Sequence, residues 1–151
     1  MAVQIMVLNR GEAERFKPLA RHAYISVADS DQQPAALPQA PSECVEVLRL
    51  AFDDVLNGDE QGRPIVAFDD DHAKQIWMFW DRVREKVDLL IIHCNGGFCR
   101  SPAIAAAIAL TEFGDDARWF ATKRPNTVVY RTLLKLRSVP SSQGEFAGSS
   151  S

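Results

Sequence analysis

The segment of residues 89–110 is the feature that most restricts how this chain can fold. It opens with a continuous apolar run, Leu89-Leu90-Ile91-Ile92, passes through a short loop with two adjacent glycines, and ends in an alanine-rich run over residues 103–110. A continuous apolar run of this length indicates a strand that is buried on both faces. The alanine-rich run has high helix propensity. The segment therefore predicts a buried strand, a tight loop and a helix in direct succession.

The loop between this strand and helix is suited to binding an anion. Ser101 has the residue type of a helix N-cap and Pro102 suits the first helical position, so we expect the helix to begin at Ser101. The unpaired N–H groups and the positive dipole end of that helix attract negative charge. Gly96 and Gly97 allow the loop to turn its own N–H groups inward. These features predict a cradle for a phosphate group.

Two side chains give this loop a chemical function. Arg100 carries a planar, permanently charged guanidinium group that can bind two phosphate oxygens at once. Cys94 opens the loop, and a thiol close to a helix N-terminus and an arginine ionises more readily than a free cysteine, whose pKa is about 8.5. Because the thiolate is the nucleophilic form, we expect Cys94 to attack phosphorus. The alternative is a buried structural cysteine beside a surface arginine.

A known family carries the same pattern. The stretch His93-Cys94-Asn95-Gly96-Gly97-Phe98-Cys99-Arg100-Ser101 resembles the signature H-C-x-x-G-x-x-R-[S/T] of the cysteine-dependent protein tyrosine and dual-specificity phosphatases, especially small bacterial or phage-like members. The resemblance covers most of residues 45–137 and is weak before Val45. It implies catalysis through a phosphocysteine intermediate, with no cofactor.

The resemblance also implies roles for the other loop residues. It implies that His93 organises the loop through hydrogen bonds, and that the Ser101 hydroxyl hydrogen-bonds the Cys94 sulfur and eases its departure. The residues expected to surround the substrate phosphate are Asn95, Gly96, Gly97, Phe98, Cys99 and Arg100. Cys99 is also a candidate redox partner of Cys94, because low-molecular-weight tyrosine phosphatases carry a second loop cysteine at this spacing.

The hydrophobic pattern along the chain predicts alternating strands and helices. Strands are predicted at residues 3–8, 22–27, 45–52 and 89–93, and helices at 11–16, 101–113, 117–122 and 126–137. A further helix is predicted for the run that follows Asp69-Asp70-Asp71 and has apolar residues at helical spacing as far as Val87. This alternation indicates an α/β fold with a mainly parallel, twisted sheet flanked by helices. Ligands of such sheets bind beyond the carboxyl ends of the strands, where Cys94 falls. We expect one domain over residues 1–140 and a disordered tail over 141–151.

Cleavage of a phosphate ester also requires an acid that protonates the leaving oxygen, which typically contributes about a hundred- to ten-thousand-fold in rate. Asp53 and Asp54 follow the predicted strand 45–52, where similar phosphatases carry their acid. Aligning the strands favours Asp54, with Asp53 second. The remaining candidates, which are expected to cap the following helix, are Asp69, Asp70 and Asp71.

Composition restricts the class and the partners. The chain has 151 residues, a net charge of −3 and no basic block, which argues against a nucleic-acid partner. No run approaches the roughly 20 apolar residues of a membrane span, and the N-terminus lacks the charged start of a signal peptide. A thiolate nucleophile requires a reducing compartment, so we expect a cytoplasmic protein. The expected substrate is a phosphorylated protein, with phosphotyrosine favoured by resemblance, or a small phosphomonoester.

Other interpretations remain open at this stage. Rhodanese- and arsenate reductase-like enzymes also use a cysteine in an anion-binding loop, although arsenate reduction normally needs further cysteines and only Cys44 lies outside the loop. A non-catalytic phosphopeptide-binding module is the third class. No metal site is expected, because His22 and His72 lack partners at ligand spacing. The polar, proline-rich segment 29–42 either borders the pocket or is a floppy insertion.

Overall fold

The structure is a computed structural model that describes residues 2–38, 43–55 and 65–137. The strands are β1 Gln4–Leu8, β2 His22–Ala28, β3 Cys44–Ala51 and β4 Leu89–His93. The helices are α1 Arg10–Arg15, α2 Asp70–Val83, α3 Arg100–Phe113, α4 Ala117–Thr122 and α5 Thr127–Leu136. The strands form one parallel sheet in the order β1-β4-β2-β3, which confirms the predicted α/β fold.

The position of β4 in the sheet determines where the site can form. This strand is buried along its whole length and pairs with β1 on one side and β2 on the other. Because all pairings are parallel, the four strands end at one edge of the sheet, the carboxyl edge. The residues that follow the four strands there are Asn9, Asp29, Phe52 and Cys94. The loop that begins at Cys94 therefore has the chain of another strand on either side.

The two faces of the sheet bury different sets of side chains, because successive strand residues point to opposite faces. On one face, Ile25 and Ile92 pack against the large core formed with α2, α3 and α5. On the other face, Tyr24 and Ile91 pack beneath α1 and part of the segment that follows β2. The central strand β4 is thus buried on both faces, as its continuous apolar run predicts.

The polar segment after β2 is not a floppy insertion in its described part, residues 29–38. Ala35 and Leu37 are buried against the sheet. The Ala35 carbonyl accepts a hydrogen bond from Arg49 Nη1 at 3.0 Å, and the Ala36 N–H donates one to Glu14 Oε2 at 3.0 Å. Residues 39–42 lie outside the described residues.

Aromatic and acidic residues of α2 have the structural roles that the sequence predicts. Trp77, Phe79 and Trp80 are buried in the core. Asp69 is the N-cap of α2 and forms a capping box with His72, which accounts for one of the three aspartates in that run. The helix ends at Val83, earlier than expected, and Val87 is buried after a turn.

The start of α3 differs from the prediction. The helix begins at Arg100, and its N-cap is Cys99, whose side chain makes no capping hydrogen bond. Ser101 therefore lies inside the first turn, and the prediction that it caps the helix is wrong. The physical reason is that its buried hydroxyl points into the loop and contacts Cys94.

Within the described ranges, no helix is long and apolar enough to cross a membrane. The predicted tail, residues 141–151, and the domain limit at residue 140 lie outside the described residues and stay predictions.

Candidate active site

The loop from Cys94 to Cys99 is docked against the end of β1. Gly97 has a φ of 66°, and a Cβ added there would lie 2.7 Å from the Asn9 nitrogen and 2.8 Å from the Leu8 carbonyl atoms. The Arg10 N–H also donates to the Asn95 carbonyl oxygen at 3.1 Å. Only glycine can occupy position 97, because both the backbone conformation and the available space exclude a side chain.

Gly96 does not share this requirement. A Cβ added at Gly96 meets nothing within 4 Å, and Gly96 is not among the positive-φ glycines of the described chain. Of the two glycines expected to let the loop turn its N–H groups inward, only Gly97 has a conformation and surroundings that require glycine.

Cys94 lies at the floor of the loop and is almost fully buried, with 2% of its surface exposed. The Gly97 N–H donates a hydrogen bond to its sulfur at 3.2 Å. The Ser101 hydroxyl lies 3.2 Å from the same sulfur. Both groups are placed to donate to a thiolate, so the sulfur has two partners that suit a negatively charged nucleophile.

His93 is a buried residue that connects the loop to β2. Its Nδ1 lies 3.3 Å from the Cys94 carbonyl oxygen, which can only accept, so we assign the ring proton to Nδ1. Its Nε2 then accepts a hydrogen bond from Ser26 Oγ at 2.6 Å. Burial lowers the pKa of His93 below its usual 6.5, so the ring is neutral at pH 7.

Arg100 lies at the first position of α3 with its guanidinium group buried. Its Nη1 donates to the Phe52 carbonyl oxygen at 2.8 Å and lies 2.8 Å from Asp29 Oδ1. Its Nε is buried without a hydrogen-bond partner among the residues that the structure describes. The protein thus holds the guanidinium group at Nη1, whereas the buried Nε is a donor that a bound anion can supply with an acceptor.

The two candidate acids after β3 occupy different environments. Asp53 is buried, and its carboxylate accepts hydrogen bonds from the Ser30 N–H at 3.0 Å, the Ser30 hydroxyl at 2.7 Å and the Val66 N–H at 2.9 Å. Asp54 is exposed, and its Oδ1 accepts a hydrogen bond from Asn126 Nδ2 at 2.7 Å. Asp53 thus connects the segments that contain Ser30 and Val66, whereas Asp54 is accessible to a substrate.

Asn126 is a residue of the site whose contact with Asp54 the sequence did not predict. Its side-chain oxygen caps α5 by accepting from the Val128 and Val129 N–H groups, while its side-chain nitrogen donates to Asp54. Its own N–H donates to the Cys99 carbonyl oxygen at 2.9 Å. The sequence predicts a helix over residues 126–137, but nothing near Asn126 in the sequence indicates a partner as distant as Asp54.

The rim of the loop carries Phe98 and Cys99. Phe98 is 45% exposed, and Lys123 Nζ lies 5.9 Å from the centre of its ring. Cys99 is half-buried. Burial raises the pKa of the Cys99 thiol, and the charge of Asp54 and a hydrogen bond with it raise that pKa further. Asn126 also connects Asp54 to the loop, since it donates hydrogen bonds to both Asp54 Oδ1 and the Cys99 carbonyl oxygen.

Asp29 is the second residue that sequence reasoning did not single out. Its Oδ1 contacts Arg100 and its Oδ2 accepts a hydrogen bond from Asn95 Nδ2 at 2.9 Å. The only signal in the sequence was its position two residues after the predicted strand 22–27. Over residues 2–38, 43–55 and 65–137, the structure contains no group of three His, Cys, Asp or Glu side chains that could hold a metal ion.

No protein-family model matches the chain, and no curated protein matches it. Solved structures do resemble it. The human tyrosine phosphatase-like serine/threonine/tyrosine-interacting protein superposes with a TM-score of 0.62 at 16% identity, covering 87% of this chain and 89% of that one. Human DUSP28 gives 0.57 at 22% identity, with 87% and 89% covered. A mouse protein assigned to the dual specificity phosphatases, solved with zinc tungstate, gives 0.57 at 24% identity, with 87% and 80% covered. The chain therefore has the dual-specificity phosphatase fold.

The glycine pair of the loop provides a first test. We predict that Gly97→Ala lowers the free energy of unfolding by more than the roughly 1–2 kcal/mol that a left-handed conformation costs a non-glycine residue, because the added Cβ also meets backbone atoms. Gly96→Ala, the matched control, should change stability by less than about 0.5 kcal/mol. Urea unfolding measures both. Equal losses would contradict the close approach at Gly97.

The buried imidazole provides a pH test. The pKa of His93 is lowered in the folded state, so between that pKa and the ordinary value of about 6.5 the unfolded chain binds more protons and stability falls as the pH is lowered. A single group contributes at most about 1.4 kcal/mol per pH unit to this slope. We predict that His93→Gln shows a smaller loss of stability between pH 7.5 and 5 than the unsubstituted protein. Equal slopes in urea unfolding would contradict a neutral, buried His93.

Proposed function

We propose that the protein is a phosphomonoester hydrolase that acts through a phosphocysteine intermediate, with phosphotyrosine in proteins as the favoured substrate. The observation that carries this proposal is the environment of Cys94. Its buried sulfur has two donors at 3.2 Å, Gly97 N–H and Ser101 Oγ, and it lies at the floor of a loop that ends in a buried arginine. A structural cysteine does not require hydrogen-bond donors arranged in this way.

The first step is in-line attack on phosphorus. The Cys94 thiolate forms the S–P bond while the bond between phosphorus and the ester oxygen breaks, and the electron pair leaves with that oxygen. Arg100 and N–H groups of the loop stabilise the charge on the equatorial oxygens. The unpartnered Nε of Arg100 supports this role, because a phosphate oxygen would supply the acceptor that it lacks.

The leaving oxygen takes a proton from Asp54. This side chain is exposed and accepts a hydrogen bond at 2.7 Å from Asn126, whose own N–H donates to the Cys99 carbonyl oxygen of the loop. Because Asn126 donates to Oδ1, Oδ2 is the oxygen that can carry the transferable proton. Asp53 is less suited, since its carboxylate is buried and accepts three hydrogen bonds.

The second step regenerates the enzyme. Asp54, now ionised, removes a proton from water, and the water oxygen attacks phosphorus as the S–P bond breaks. The electron pair returns to sulfur, where the Ser101 hydroxyl and the Gly97 N–H stabilise the thiolate that leaves. Inorganic phosphate is released, and the cycle needs no group beyond the chain and water.

Two features of the loop, an aromatic residue at its rim and the absence of lysine, bear on the substrate preference. Phe98 lies at the rim, where an aromatic ring of a phosphotyrosine can contact it. The loop residues 94–100 contain no lysine, which argues against polyanionic substrates such as inositol phosphates. We place the enzyme in the cytoplasm, where a reducing environment maintains free thiols.

A non-catalytic phosphopeptide-binding module is the second candidate. One of the structures that this chain resembles is named a tyrosine phosphatase-like interacting protein, so the fold alone does not decide between catalysis and binding. Arsenate reduction is less favoured. Cys44 begins β3 at the level of Leu89, about 16 Å from Cys94 along the strand direction at about 3.3 Å per residue. A cysteine relay from Cys94 would therefore have to rely on Cys99, whose raised pKa disfavours the reactive thiolate.

The redox role of Cys99 also stays a prediction. A peroxide would oxidise the Cys94 thiolate to a sulfenic acid, and the Cys99 thiolate would attack that sulfur, so that the S–S bond forms as hydroxide leaves. The raised pKa of Cys99 works against rapid formation of this disulfide at neutral pH.

Turnover and variants of the loop test the proposed reaction. Assays of the purified protein with phenyl phosphate, thiosulfate and arsenate distinguish a phosphatase from a rhodanese-like enzyme and an arsenate reductase. If the protein turns over none of the three, the phosphopeptide-binding module is the remaining candidate. We predict that Cys94→Ser abolishes phenyl phosphate hydrolysis while tungstate still binds. Arg100→Lys should reduce kcat/KM by about a hundredfold or more, because an ammonium group cannot bind two oxygens at once. Retention of near-normal activity by either variant would contradict the mechanism.

The neighbouring aspartates provide a matched pair for the acid. We predict that Asp54→Asn lowers kcat for phenyl phosphate by roughly a hundredfold or more and lowers it much less for nitrophenyl phosphate, whose leaving group needs little protonation. Asp53→Asn should instead lower stability in urea unfolding and leave the dependence on the leaving group unchanged. The opposite assignment of these two patterns would identify Asp53 as the acid.

A further inference from the structure

Asp29 occupies a place in the site that the proposed reaction does not use. It directly follows β2, the strand that pairs with β4. Because Ser26 lies opposite His93 in this pairing, the chain three residues further along β2 runs beside the loop that begins at Cys94. The fold therefore brings an acidic side chain to the edge of a cradle suited to an anion.

The carboxylate of Asp29 bridges the two ends of the loop. Oδ1 lies 2.8 Å from Arg100 Nη1, and Oδ2 accepts from Asn95 Nδ2 at 2.9 Å. Asn95 is the residue after Cys94, and Arg100 is the first residue of α3. A single side chain from a neighbouring strand thus connects the position beside the nucleophile with the guanidinium group.

These contacts fix the plane of the guanidinium group. Nη1 donates a hydrogen bond to the Phe52 carbonyl oxygen and forms an ion pair with Asp29 Oδ1, each at 2.8 Å. Because the guanidinium group is planar, orienting Nη1 from two sides orients Nε and Nη2 as well. The buried Nε is left without a partner in the part of the chain that the structure describes.

We propose that Asp29 is a positioning residue that orients Arg100 so that its Nε donor faces the bound oxyanion. The inference rests on the proposed function for the identity of the anion, a phosphoryl group. It differs from a competitive role, in which the carboxylate occupies the arginine and must be displaced by phosphate. In the positioning role, Asp29 stays on Nη1 while the anion binds at Nε.

The test measures tungstate binding by calorimetry in the Cys94→Ser protein, so that no turnover is required. Adding Asp29→Ala should weaken binding by about tenfold or more, the range of one hydrogen bond to a charged group. Asp29→Asn should weaken it less, because an amide oxygen can occupy the place of Oδ1 beside Nη1. The buried Asn95 Oδ1, which lacks a partner among the described residues, can turn to accept from the new amide nitrogen. Asp31→Asn, at an exposed residue of the same segment, is the control and should have no effect.

A double-mutant cycle separates action through Arg100 from an effect on the fold. In the Arg100→Lys background, Asp29→Ala should change tungstate affinity by less than about twofold, because its target is gone. If the alanine variant does not fold, the same cycle with Asp29→Asn shows whether Asp29 acts on tungstate binding through Arg100. Equal losses with and without Arg100, tighter tungstate binding without Asp29, or an equal loss from Asp31→Asn would each overturn the proposal.

These experiments distinguish a failure of the positioning role from a failure of the catalytic proposal. If the unsubstituted protein fails to hydrolyse phenyl phosphate but tungstate binding still depends on Asp29 through Arg100, the catalytic proposal fails and the positioning role stands. If turnover is normal but the cycle shows no coupling, the positioning role alone fails. Absence of tungstate binding in Cys94→Ser overturns the positioning role.

Discussion

The contact between Gly97 and the backbone at the end of β1 is the constraint on which the site depends. No side chain fits there, since Leu8 and Asn9 backbone atoms lie within 3 Å of where a Cβ would be. Held against β1, the loop directs the Gly97 N–H at the Cys94 sulfur. The nucleophile is therefore oriented by the packing of the loop backbone against the backbone at the end of β1. The buried strand β4 pairs with β1 and fixes the position of that strand end.

Much of the fold could be predicted because its signals are local. The buried strand before the loop, the alanine-rich helix after it and the capping aspartate of α2 each follow from residues close together in sequence. The nucleophile and its arginine are local as well, since they lie at the two ends of one loop. The N-cap of α3 was misassigned because Ser101 has the chemistry of a cap and also that of a partner for sulfur, and the sequence does not show that a thiol lies within reach of its hydroxyl.

The remaining residues of the site have no local signature. Asp29 reaches Arg100 and Asn126 reaches Asp54 only because parallel strands end at one edge of the sheet and α5 packs beside them. Asp53 and Asp54 are adjacent and chemically identical, yet one is buried beneath Ser30 and Val66 while the other faces solvent. Both residues lie beyond the end of β3 at Ala51, and which of them is buried depends on contacts with chain segments far away in sequence.

The amide of Asn126 has a consequence for how this protein can vary. An ordinary N-cap tolerates serine, threonine or aspartate, since each supplies an oxygen to the first helical N–H groups. Here the oxygen is committed to α5 and the nitrogen to Asp54, so the amide has only one acceptable orientation. Aspartate would cap the helix but repel the carboxylate, and serine would cap it without offering a second donor. Helix initiation and orientation of the acid are thus linked through one side chain, and fraying of the first turn of α5 would release both together.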